Sequence, residues 1–419
     1  MYFSLKELLL RNLYDILTYI VDFHLRLIAL FNRKLALGVK GRKITFEKIK
    51  GYIGETEKTI WFHCASLGEY EQGLPVFEAI RSDHPDHKIL LSFFSPSGYE
   101  IRKDSPIADL VVYLPLDTKR NARQFLDLLH PELIVFVKYE IWPNYLFEIK
   151  ERKIKAILIS ALFRPDQTYF KSPGRWMLKS LDAFSWIFVQ DDASVDLLKD
   201  HDITHVSRSG DTRFDRVSRQ LSADNTMNFI NEFIDGKLCV VAGSTWPEGE
   251  ILFSKFINTD QTETKYIIAP HNIKTHEIQR LNNSLSKPTV LYSEMHGVEL
   301  KQQKVLILDT IGLLSKVYAS ADIAYVGGAI GTSGLHNTLE PAVFGIPIII
   351  GKNYQRFPEA HDMIRQGGMF AFSELSELDY ILSQLISEKG KRELAGYKNR
   401  NYIEKNTGAV VQIMSYLRK

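Results

Sequence analysis

From residue 59 onward, short runs of apolar residues alternate with amphipathic stretches. In the first half the apolar runs predict strands at Thr59–His63, Lys88–Phe94, Leu110–Leu114, Leu133–Val137, Ala156–Ile159 and Trp186–Val189. Helical periodicity lies between them, for example at Gln72–Arg81, Ala122–Leu129 and Ala193–Lys199. This alternation predicts a parallel sheet with helices covering both faces.

The pattern pauses once and then resumes. Arg216–Lys237 is polar and holds no long apolar run. Strand-like runs return at Leu238–Ala242, Lys265–Ala269, Thr289–Leu291, Val305–Leu308, Ile323–Val326 and Pro347–Ile350. We therefore expect two doubly wound, Rossmann-like α/β domains, residues 32–218 and 219–419. Ligands would bind at the carboxyl ends of the strands, in a cleft between the domains.

Residues 1–31 are predicted to form a separate amphipathic helix. Leu8–Phe31 is mostly apolar, and its polar residues recur on one helical face: Arg11, Asp15, Thr18, Asp22 and Arg26. No uninterrupted run of about 20 apolar residues, which a spanning helix needs, is present. A stretch rich in lysine and arginine follows, from Arg33 to Lys50. Together these features favour a helix lying in an anionic membrane surface, with its basic flank toward the cytoplasm. The alternative is a first helix packed on the domain, with solvated lysines.

Composition narrows the function classes. A chain of 419 residues with 45% hydrophobic and 24% charged residues suits two globular domains. The net charge of +2 argues against a nucleic-acid binder. The two cysteines, Cys64 and Cys239, lie far apart in apolar runs, which fits reduced thiols and excludes a thiolate zinc site.

The most informative motif is His336–Pro347. It follows the predicted strand Ile323–Val326 and the glycine-rich turn Gly327–Gly334. A strand, a glycine turn and a helix start are where α/β proteins bind phosphate. Glu340 is placed to accept hydrogen bonds from a ribose diol, so the segment predicts a nucleotide site. Two other strand ends suit backbone contacts to phosphate more weakly: Gly243, Ser244 and Thr245, and then Pro270 and His271.

Three segments of the first half carry candidate chemistry. Glu69 follows the turn after the first strand and could act as a general base, or simply favour its own helix dipole. Glu140, beyond the strand Leu133–Val137, could face a ligand, pair with Lys138 or cap a helix. Arg213 could approach an anionic donor, or be an ordinary exposed arginine.

Several familiar signatures are absent from the sequence. It has no G-x-x-x-x-G-K-[ST] loop and no G-x-S-x-G elbow, and its glycines are not spaced as G-x-G-x-x-G. No H-E-x-x-H motif or cysteine cluster indicates a metal site. We expect neither a metal nor a cofactor.

Five segments, in this order, resemble the 3-deoxy-D-manno-octulosonic acid (Kdo) transferases of lipopolysaccharide inner-core assembly: His63–Glu69, Tyr113–Asp117, Glu140–Asn144, Val326–Gly328 and His336–Pro341. The resemblance implies a GT-B glycosyltransferase at the cytoplasmic face of the bacterial inner membrane. It would move Kdo from CMP-Kdo to a lipid A precursor (lipid IVA), releasing CMP with inversion.

The resemblance also implies roles for individual residues. Glu69 would be the base, with Glu140 and Arg213 also catalytic, Arg213 standing where the family usually has lysine. CMP-contacting segments match Pro270, His271, Gly312, Asn337 and Glu340. The remaining predicted substrate contacts are Ser66, Gly68, Gly243, Ser244, Thr245, Gly328, Thr338 and Leu339.

The chain departs from the family pattern at several positions. Lys138 replaces the first carboxylate of a Glu-Thr-Glu segment, and Asn272 follows Pro270-His271 where the family reads Pro-Arg-His. Leu313 follows Gly312 in place of glutamate. Two alternatives therefore stand beside Kdo transfer: a GT-B transferase using another nucleotide sugar on a lipid acceptor, and a non-catalytic membrane-bound scaffold.

Overall fold

The computed structural model describes residues 4–419, which form two compact units. The first unit extends to Arg216 and also includes Gly408–Lys419, whereas the second is Val217–Thr407. The sequence pattern had placed everything after residue 218 in one domain. The last helix instead packs with the first unit because Ile413 and Met414 enter that unit's core.

Each unit contains one seven-stranded sheet, and every strand pair in both sheets is parallel. In the first unit the strands are β1 Thr59–Cys64, β2 Lys88–Phe93, β3 Leu110–Tyr113, β4 Pro131–Val137, β5 Lys155–Ala161, β6 Trp186–Val189 and β7 Val206–Arg208. In the second they are β8 Cys239–Thr245, β9 Lys265–Pro270, β10 Thr289–Leu291, β11 Val305–Ile307, β12 Ile323–Val326, β13 Ile348–Gly351 and β14 Met369–Phe372.

The α-helices precede, connect and follow the strands. In the first unit they are α1 Leu5–Ile28, α2 Arg33–Lys43, α3 Thr45–Tyr52, α4 Leu67–Asp83, α5 Pro96–Arg102, α6 Lys119–Leu129, α7 Pro143–Glu151, α8 Asp192–Lys199 and α9 Thr212–Ser218. The second unit holds α10 Asn228–Ile234, α11 Pro247–Thr259, α12 Thr275–Asn283, α13 Leu314–Val317, α14 Leu339–Ala342, α15 Pro358–Gln366, α16 Leu375–Ser387 and α17 Lys389–Asn406. The last helix, α18 Ala409–Leu417, belongs to the first unit.

Strand order fixes where each sheet can bind a ligand. The first sheet runs β3-β2-β1-β4-β5-β6-β7 and the second β10-β11-β9-β8-β12-β13-β14. The chain therefore proceeds in opposite directions from β1 and β4, and likewise from β8 and β12. Such a switch point opens a crevice at the carboxyl ends of its two strands.

Both faces of the first sheet are buried, as the apolar runs predicted. Along β1, Trp61 packs in one core cluster and its neighbours Ile60 and Phe62 pack in another. Ile134 and Val135 of β4 divide in the same way. The predicted α/β class is thus confirmed, and each predicted strand overlaps an observed one. Two strands, β7 and β14, were not predicted.

Helix α1 lies against the first unit with its polar side inward. Tyr14 donates a hydrogen bond of 2.7 Å to buried Asp117, and Lys179 pairs with Glu7 at 2.8 Å. The Arg11 guanidinium lies 4.2 Å from the centre of the Phe147 ring. None of the residues of α1 is buried, and apolar ones such as Phe23 stay exposed. No helix within residues 4–419 combines the length and apolar character needed to cross a membrane.

Candidate functional site

Glu69 lies at the switch point of the first sheet, in the first turn of α4, directly after β1. Its carboxylate accepts hydrogen bonds from the backbone N–H groups of Ala65, at 2.5 Å, and Ser66, at 3.1 Å. It therefore caps the helix start, in addition to lying at the positive end of the helix dipole, which is the structural role that the sequence allowed. Burial, followed by the charge of Glu140, raises the pKa of Glu69 to about 7. A carboxylate with this pKa can exchange a proton near neutral pH.

Glu140 lies beyond the end of β4 and is oriented by partners from two segments. Its Oε2 lies 2.8 Å from His63 Nε2 and accepts a 2.7 Å hydrogen bond from Trp142 Nε1. Glu140 is 6% exposed and His63 fully buried. The sequence allowed two structural roles for Glu140, pairing with Lys138 and capping of a helix. The contacts show neither role, because the main partner is His63, near the end of the neighbouring strand.

The His63 ring continues into a polar chain beneath the site. Trp61 Nε1 donates to Ser92 Oγ at 2.7 Å, and Ser92 Oγ lies 2.8 Å from His63 Nδ1. An ionised carboxylate can only accept, so His63 donates to Glu140 from Nε2, and the Nδ1 of a neutral His63 then accepts from the Ser92 hydroxyl. The chain fixes the Glu140 carboxylate and its charge next to Glu69.

Lys138 forms a cationic rim to this site. Its backbone is left-handed, with φ 66°, and its ammonium lies 5.2 Å from the centre of the Tyr139 ring. Arg164 approaches the same ring, with its guanidinium carbon 5.6 Å from the ring centre and a 3.2 Å hydrogen bond to the hydroxyl. The positive charge of Lys138 lowers the pKa of Glu69 and so opposes the effect of burial.

Arg213 is tied to α4 through a buried aspartate. Its Nε donates to Asp211 Oδ2 at 2.8 Å, and Gln72 Nε2 donates to Asp211 Oδ1 at 2.7 Å. Gln72 stands one helical turn after Glu69. The structure thus connects Arg213 with the α4 turn, and the arginine is not a free surface charge.

Of the other predicted contacts in the first unit, Ser66 is the residue before α4 and Gly68 lies exposed in its first turn. A Cβ atom at Gly68 would meet no atom within 4 Å. Gly68 therefore borders open space beside Glu69.

In the second unit, the ends of β8 and β12 approach each other closely. A Cβ on Gly327 would collide with the carbonyl of Ser244, and one on Gly243 with the hydroxyl of Tyr318. Ser244 has a left-handed backbone, with φ 50°. Thr245 is buried and donates to Glu250 at 2.9 Å. This part of the predicted site consists of backbone held at short range.

The glycine turn after β12 is equally restricted. Gly328 has φ 82°, and a Cβ there would meet the carbonyl of Gly334. Gly312 has φ 90° but is exposed, with no atom within 4 Å of a Cβ position. Gly328 is thus required for the turn, whereas Gly312 leaves open space in front of it.

Glu340 and Asn337 contact each other. Asn337 Nδ2 donates to Glu340 Oε1 at 3.0 Å, and Ser315 Oγ donates to Glu340 Oε2 at 3.0 Å. Asn337 Oδ1 also accepts the N–H of Leu339 at 3.1 Å. Thr338 and Leu339 are buried, so that their side chains pack inside the unit. The helix here, α14, is a single turn, so its dipole is weaker than the sequence suggested.

Three aromatic rings pack together next to this segment, and one of them belongs to His336, the residue before Asn337. Trp246 stacks on His271, with ring centres 4.7 Å apart, and His271 lies 4.5 Å from His336. Trp246 Nε1 donates to His336 Nε2 at 2.8 Å. Burial, and then the nearby His271, lowers the pKa of His336 to about 4. Pro270, the last residue of β9, pairs with Thr245 and brings His271 to this position.

Sequence reasoning singled out neither His63, Ser315, Trp246 nor His336 as a functional residue. A histidine near the end of a fully buried strand was a usable signal for His63, because a buried imidazole needs polar partners. Ser315 offered no signal, since its contact with Glu340 joins residues that are distant in sequence.

A family model matches the part of the chain that contains Glu69. Residues 40–216, which include Glu69, Glu140 and Arg213, match the family model described as 3-deoxy-D-manno-octulosonic-acid transferase (kdotransferase). This segment resembles the Kdo transferases. The resemblance inferred from the five motifs is confirmed, and the protein is a glycosyltransferase.

Relatives extend the match beyond that segment. A 3-deoxy-D-manno-octulosonic acid transferase of Aquifex aeolicus is 28% identical over 83% of this chain and 92% of its own length. One from Haemophilus influenzae is 24% identical over 86% of each chain. A bifunctional glycosyltransferase/methyltransferase of Fusobacterium nucleatum is 26% identical over 86% of this chain, which spans only 59% of that protein.

Solved structures support the GT-B fold. The UDP-GlcNAc 2-epimerase of Neisseria meningitidis superposes with a TM-score of 0.59 at 14% identity, covering 86% of this chain and all of that one (100%). A glycosyltransferase of Rickettsia africae gives a TM-score of 0.54 at 13% identity, covering 87% and 97%. At these identities the likeness concerns the fold alone.

Proposed function

We propose that this protein transfers Kdo from CMP-Kdo to a lipid A precursor such as lipid IVA, releasing CMP with inversion at the anomeric carbon. The observation that carries the proposal is Glu69, a carboxylate with a pKa of about 7 at the switch point of a Kdo-transferase-family domain. A transfer of this kind requires a base positioned at the acceptor hydroxyl.

In the proposed reaction, unprotonated Glu69 takes the proton of the acceptor hydroxyl while that oxygen attacks the anomeric carbon. The bond between this carbon and the phosphate oxygen breaks, and CMP leaves with the electron pair. Attack from the side opposite the leaving group inverts the configuration. Glu140, held by His63, keeps negative charge beside Glu69 and thereby strengthens it as a base. Arg213 supplies positive charge for the phosphate of the donor.

We assign the donor nucleotide to the second unit. Glu340 and Asn337 offer a carboxylate and an amide for the ribose hydroxyl groups, and their present contacts hold both side chains in place. The space beside Gly243 and Gly328 is filled by Tyr318 and the carbonyl of Gly334, whereas Gly312 borders open space in which a phosphate could approach the main chain. The stacked rings of Trp246 and His271 suit a pyrimidine base.

We also propose that α1 docks on the cytoplasmic face of the inner membrane, where the lipid acceptor lies. The polar residues of α1 contact the rest of the first unit, so the face of α1 that could meet a lipid bilayer is apolar. Deleting residues 1–31 should release the protein from vesicles of anionic lipid. Unchanged sedimentation with vesicles would exclude α1 as the anchor.

The decisive experiment incubates the protein with CMP-Kdo and lipid IVA and follows the product by mass spectrometry. A mass increase of one or more Kdo residues is expected, and NMR of the product reports the anomeric configuration. CMP should inhibit better than UDP. Equal or reversed inhibition would remove the cytidine assignment, and absence of product with every lipid acceptor would favour the scaffold alternative.

A further inference from the structure

A cavity of about 410 Å³ lies beneath α1, and none of its lining residues comes from the segments that carry Glu69 and Glu140. It is lined by α1, α2, α3 and the start of α6, with Pro115 and Leu116 from the loop after β3. β3 is the edge strand of the sheet, two positions from β1. The volume falls within the range of about 300–1,000 Å³ that is typical of small-ligand sites.

The cavity is strongly cationic. Four basic side chains line it and one acidic side chain, Asp22, opposes them; the basic residues are Arg26, Arg42, Lys43 and Arg120. Arg26 pairs with Asp22 at 2.5 Å. Arg42 is held by the carbonyls of Leu114 and Phe94, at 3.0 and 2.6 Å.

Two of the positive charges are left uncompensated. Within the described residues 4–419, neither Lys43 nor Arg120 makes a hydrogen bond or an ion pair through its side chain. Both are exposed at the cavity wall. Two cations that converge on a cavity without an internal partner attract a multiply hydrogen-bonding anion such as a phosphodiester or phosphate.

The surroundings indicate which anion. On α1, the lining residues Tyr19 and Asp22 alternate with exposed apolar residues such as Phe23 and Ile20. Leu30 and Phe31, between α1 and α2, are 76% and 90% exposed. A ligand with its phosphate in the cavity would therefore carry any attached hydrocarbon along an apolar surface. This combination matches an amphiphile better than a soluble anion.

We propose that this cavity binds the headgroup of an anionic glycerophospholipid, with the acyl chains lying along α1. The cavity is distinct from the proposed catalytic groups, because none of its lining residues belongs to the Glu69 or Glu140 segments. It rests on the proposed docking of α1 at a membrane but not on the identity of the transferred sugar. The bound lipid would fix the orientation of the first unit at the bilayer.

The test uses the full chain and monomeric dihexanoyl phosphatidylglycerol below its micellar concentration, with dihexanoyl phosphatidylcholine for comparison. Calorimetric titration should show saturable binding of the dihexanoyl phosphatidylglycerol and none of the phosphatidylcholine. The Lys43→Ala/Arg120→Ala double variant should bind it at least about tenfold more weakly, since each basic residue near an anionic lipid surface contributes severalfold.

The matched control is Arg33→Ala/Lys34→Ala, which removes the same two residue types from exposed positions of α2 that do not line the cavity. It should change the affinity less than about threefold. Circular dichroism and thermal melting check that both double variants fold. Comparison of the two double variants therefore distinguishes specific binding in the cavity from general attraction between opposite charges.

Three outcomes would overturn the proposal. One is no saturable binding of the short-chain phosphatidylglycerol by the folded wild-type chain. Another is an equal loss in the two double variants. The third is that a water-soluble phosphorylated glucosamine disaccharide binds and is lost in the Lys43→Ala/Arg120→Ala variant, while the phospholipid does not bind. That result would make the cavity part of the acceptor site. Because all readouts are binding, absence of Kdo transfer leaves the test intact.

Discussion

The switch points of the two sheets hold different kinds of groups. At the ends of β1 and β4, two carboxylates and an imidazole lie in contact or close range, and the charge of one carboxylate changes the proton affinity of the other. At the ends of β8 and β12, glycine backbone and stacked rings dominate, and the carboxylate of Glu340 is held by two neutral hydrogen-bond donors. The same position in the same fold thus carries titratable groups in contact in one unit, and mainly backbone, aromatic and neutral polar groups in the other.

The largest effect is expected from Glu69→Gln. Loss of the base should lower kcat by about 10²–10⁴, whereas affinity for CMP should stay unchanged because the nucleotide is assigned to the other unit. Glutamine can still accept the N–H groups of Ala65 and Ser66, so the helix cap survives. Steady-state kinetics and calorimetry measure the two quantities. Glu78→Gln, an exposed position on the same helix, serves as control, and full activity of Glu69→Gln would exclude Glu69 as the base.

A smaller effect is expected from Glu340→Ala, and it should fall on the affinity for CMP instead of on kcat. Hydrogen bonds to a charged group are worth about 1.5–3 kcal/mol, so CMP should bind about 10–100-fold more weakly. Once the variant is saturated with CMP-Kdo, kcat should change little. Glu393→Ala, at an exposed position of α17, is the control. A kcat defect with unaltered CMP affinity would contradict the division of roles between the units.

Substitution of two charged neighbours of Glu69 should shift the pH profile of kcat/KM in opposite directions. In the wild type, kcat/KM should rise with pH through about 7, because Glu69 must lose its proton to act. Glu140→Gln removes the charge that raises this pKa, so the rise should move to lower pH. Lys138→Ala removes a charge that lowers it, so the rise should move to higher pH. The midpoint, not the maximal rate, is the measured quantity, and shifts of both variants in one direction would refute the assignment.

The smallest expected effect is on the pH dependence of stability, which should have opposite signs in the two units. The pKa of Glu69 rises from 4.5 to about 7 on folding, so the folded state binds more protons in this window and loses stability as pH increases across it. The pKa of His336 falls from 6.5 to about 4, so the unfolded state binds more protons and stability is lost as pH decreases. Protonation would also oppose the hydrogen bond from Trp246.

Amide hydrogen exchange, followed separately in the two units between pH 4.5 and 7, tests these signs after correction for intrinsic exchange rates. Glu69→Gln should flatten the dependence of the first unit only, and His336→Gln that of the second only. Equal flattening in both units by either variant would show that these groups do not control the local stability.

The fold was predictable because parallel strands buried on both faces are continuous apolar runs, as in Leu133–Val137. The strands that were not predicted are short and weakly marked. β7 has three residues and ends in an exposed arginine, and Met369–Phe372 of β14 lies at a sheet edge. The packing of α18 on the first unit could not be predicted either, because apolar residues such as Ile413 and Met414 fit the core of either unit equally well.

For the site, the sequence located strand ends but not contacts across them. Glu69, Glu140 and Glu340 could be selected because each follows a buried strand or a glycine turn. That His63 holds Glu140 depends on β1 lying beside β4, which is a property of strand order. Whether Glu69 is a base or only favours the dipole of its helix was left open. Its contacts show that it caps α4, and its pKa of about 7 is compatible with a base.

The return of the chain to the first unit has a consequence for how the protein can be taken apart. Asp215, just before the exit from the first unit, accepts the N–H groups of Gly408 and Ala409, just after the re-entry, at 3.0 and 3.2 Å. Arg418 then pairs with Asp83 through two hydrogen bonds of 2.7 and 3.0 Å. Residues 217–407 are therefore an insertion whose two ends meet at one aspartate. Such a segment is a natural unit of exchange: it can be excised with a short linker in its place, or replaced by the corresponding segment of a relative, without leaving a distant chain end in the first unit.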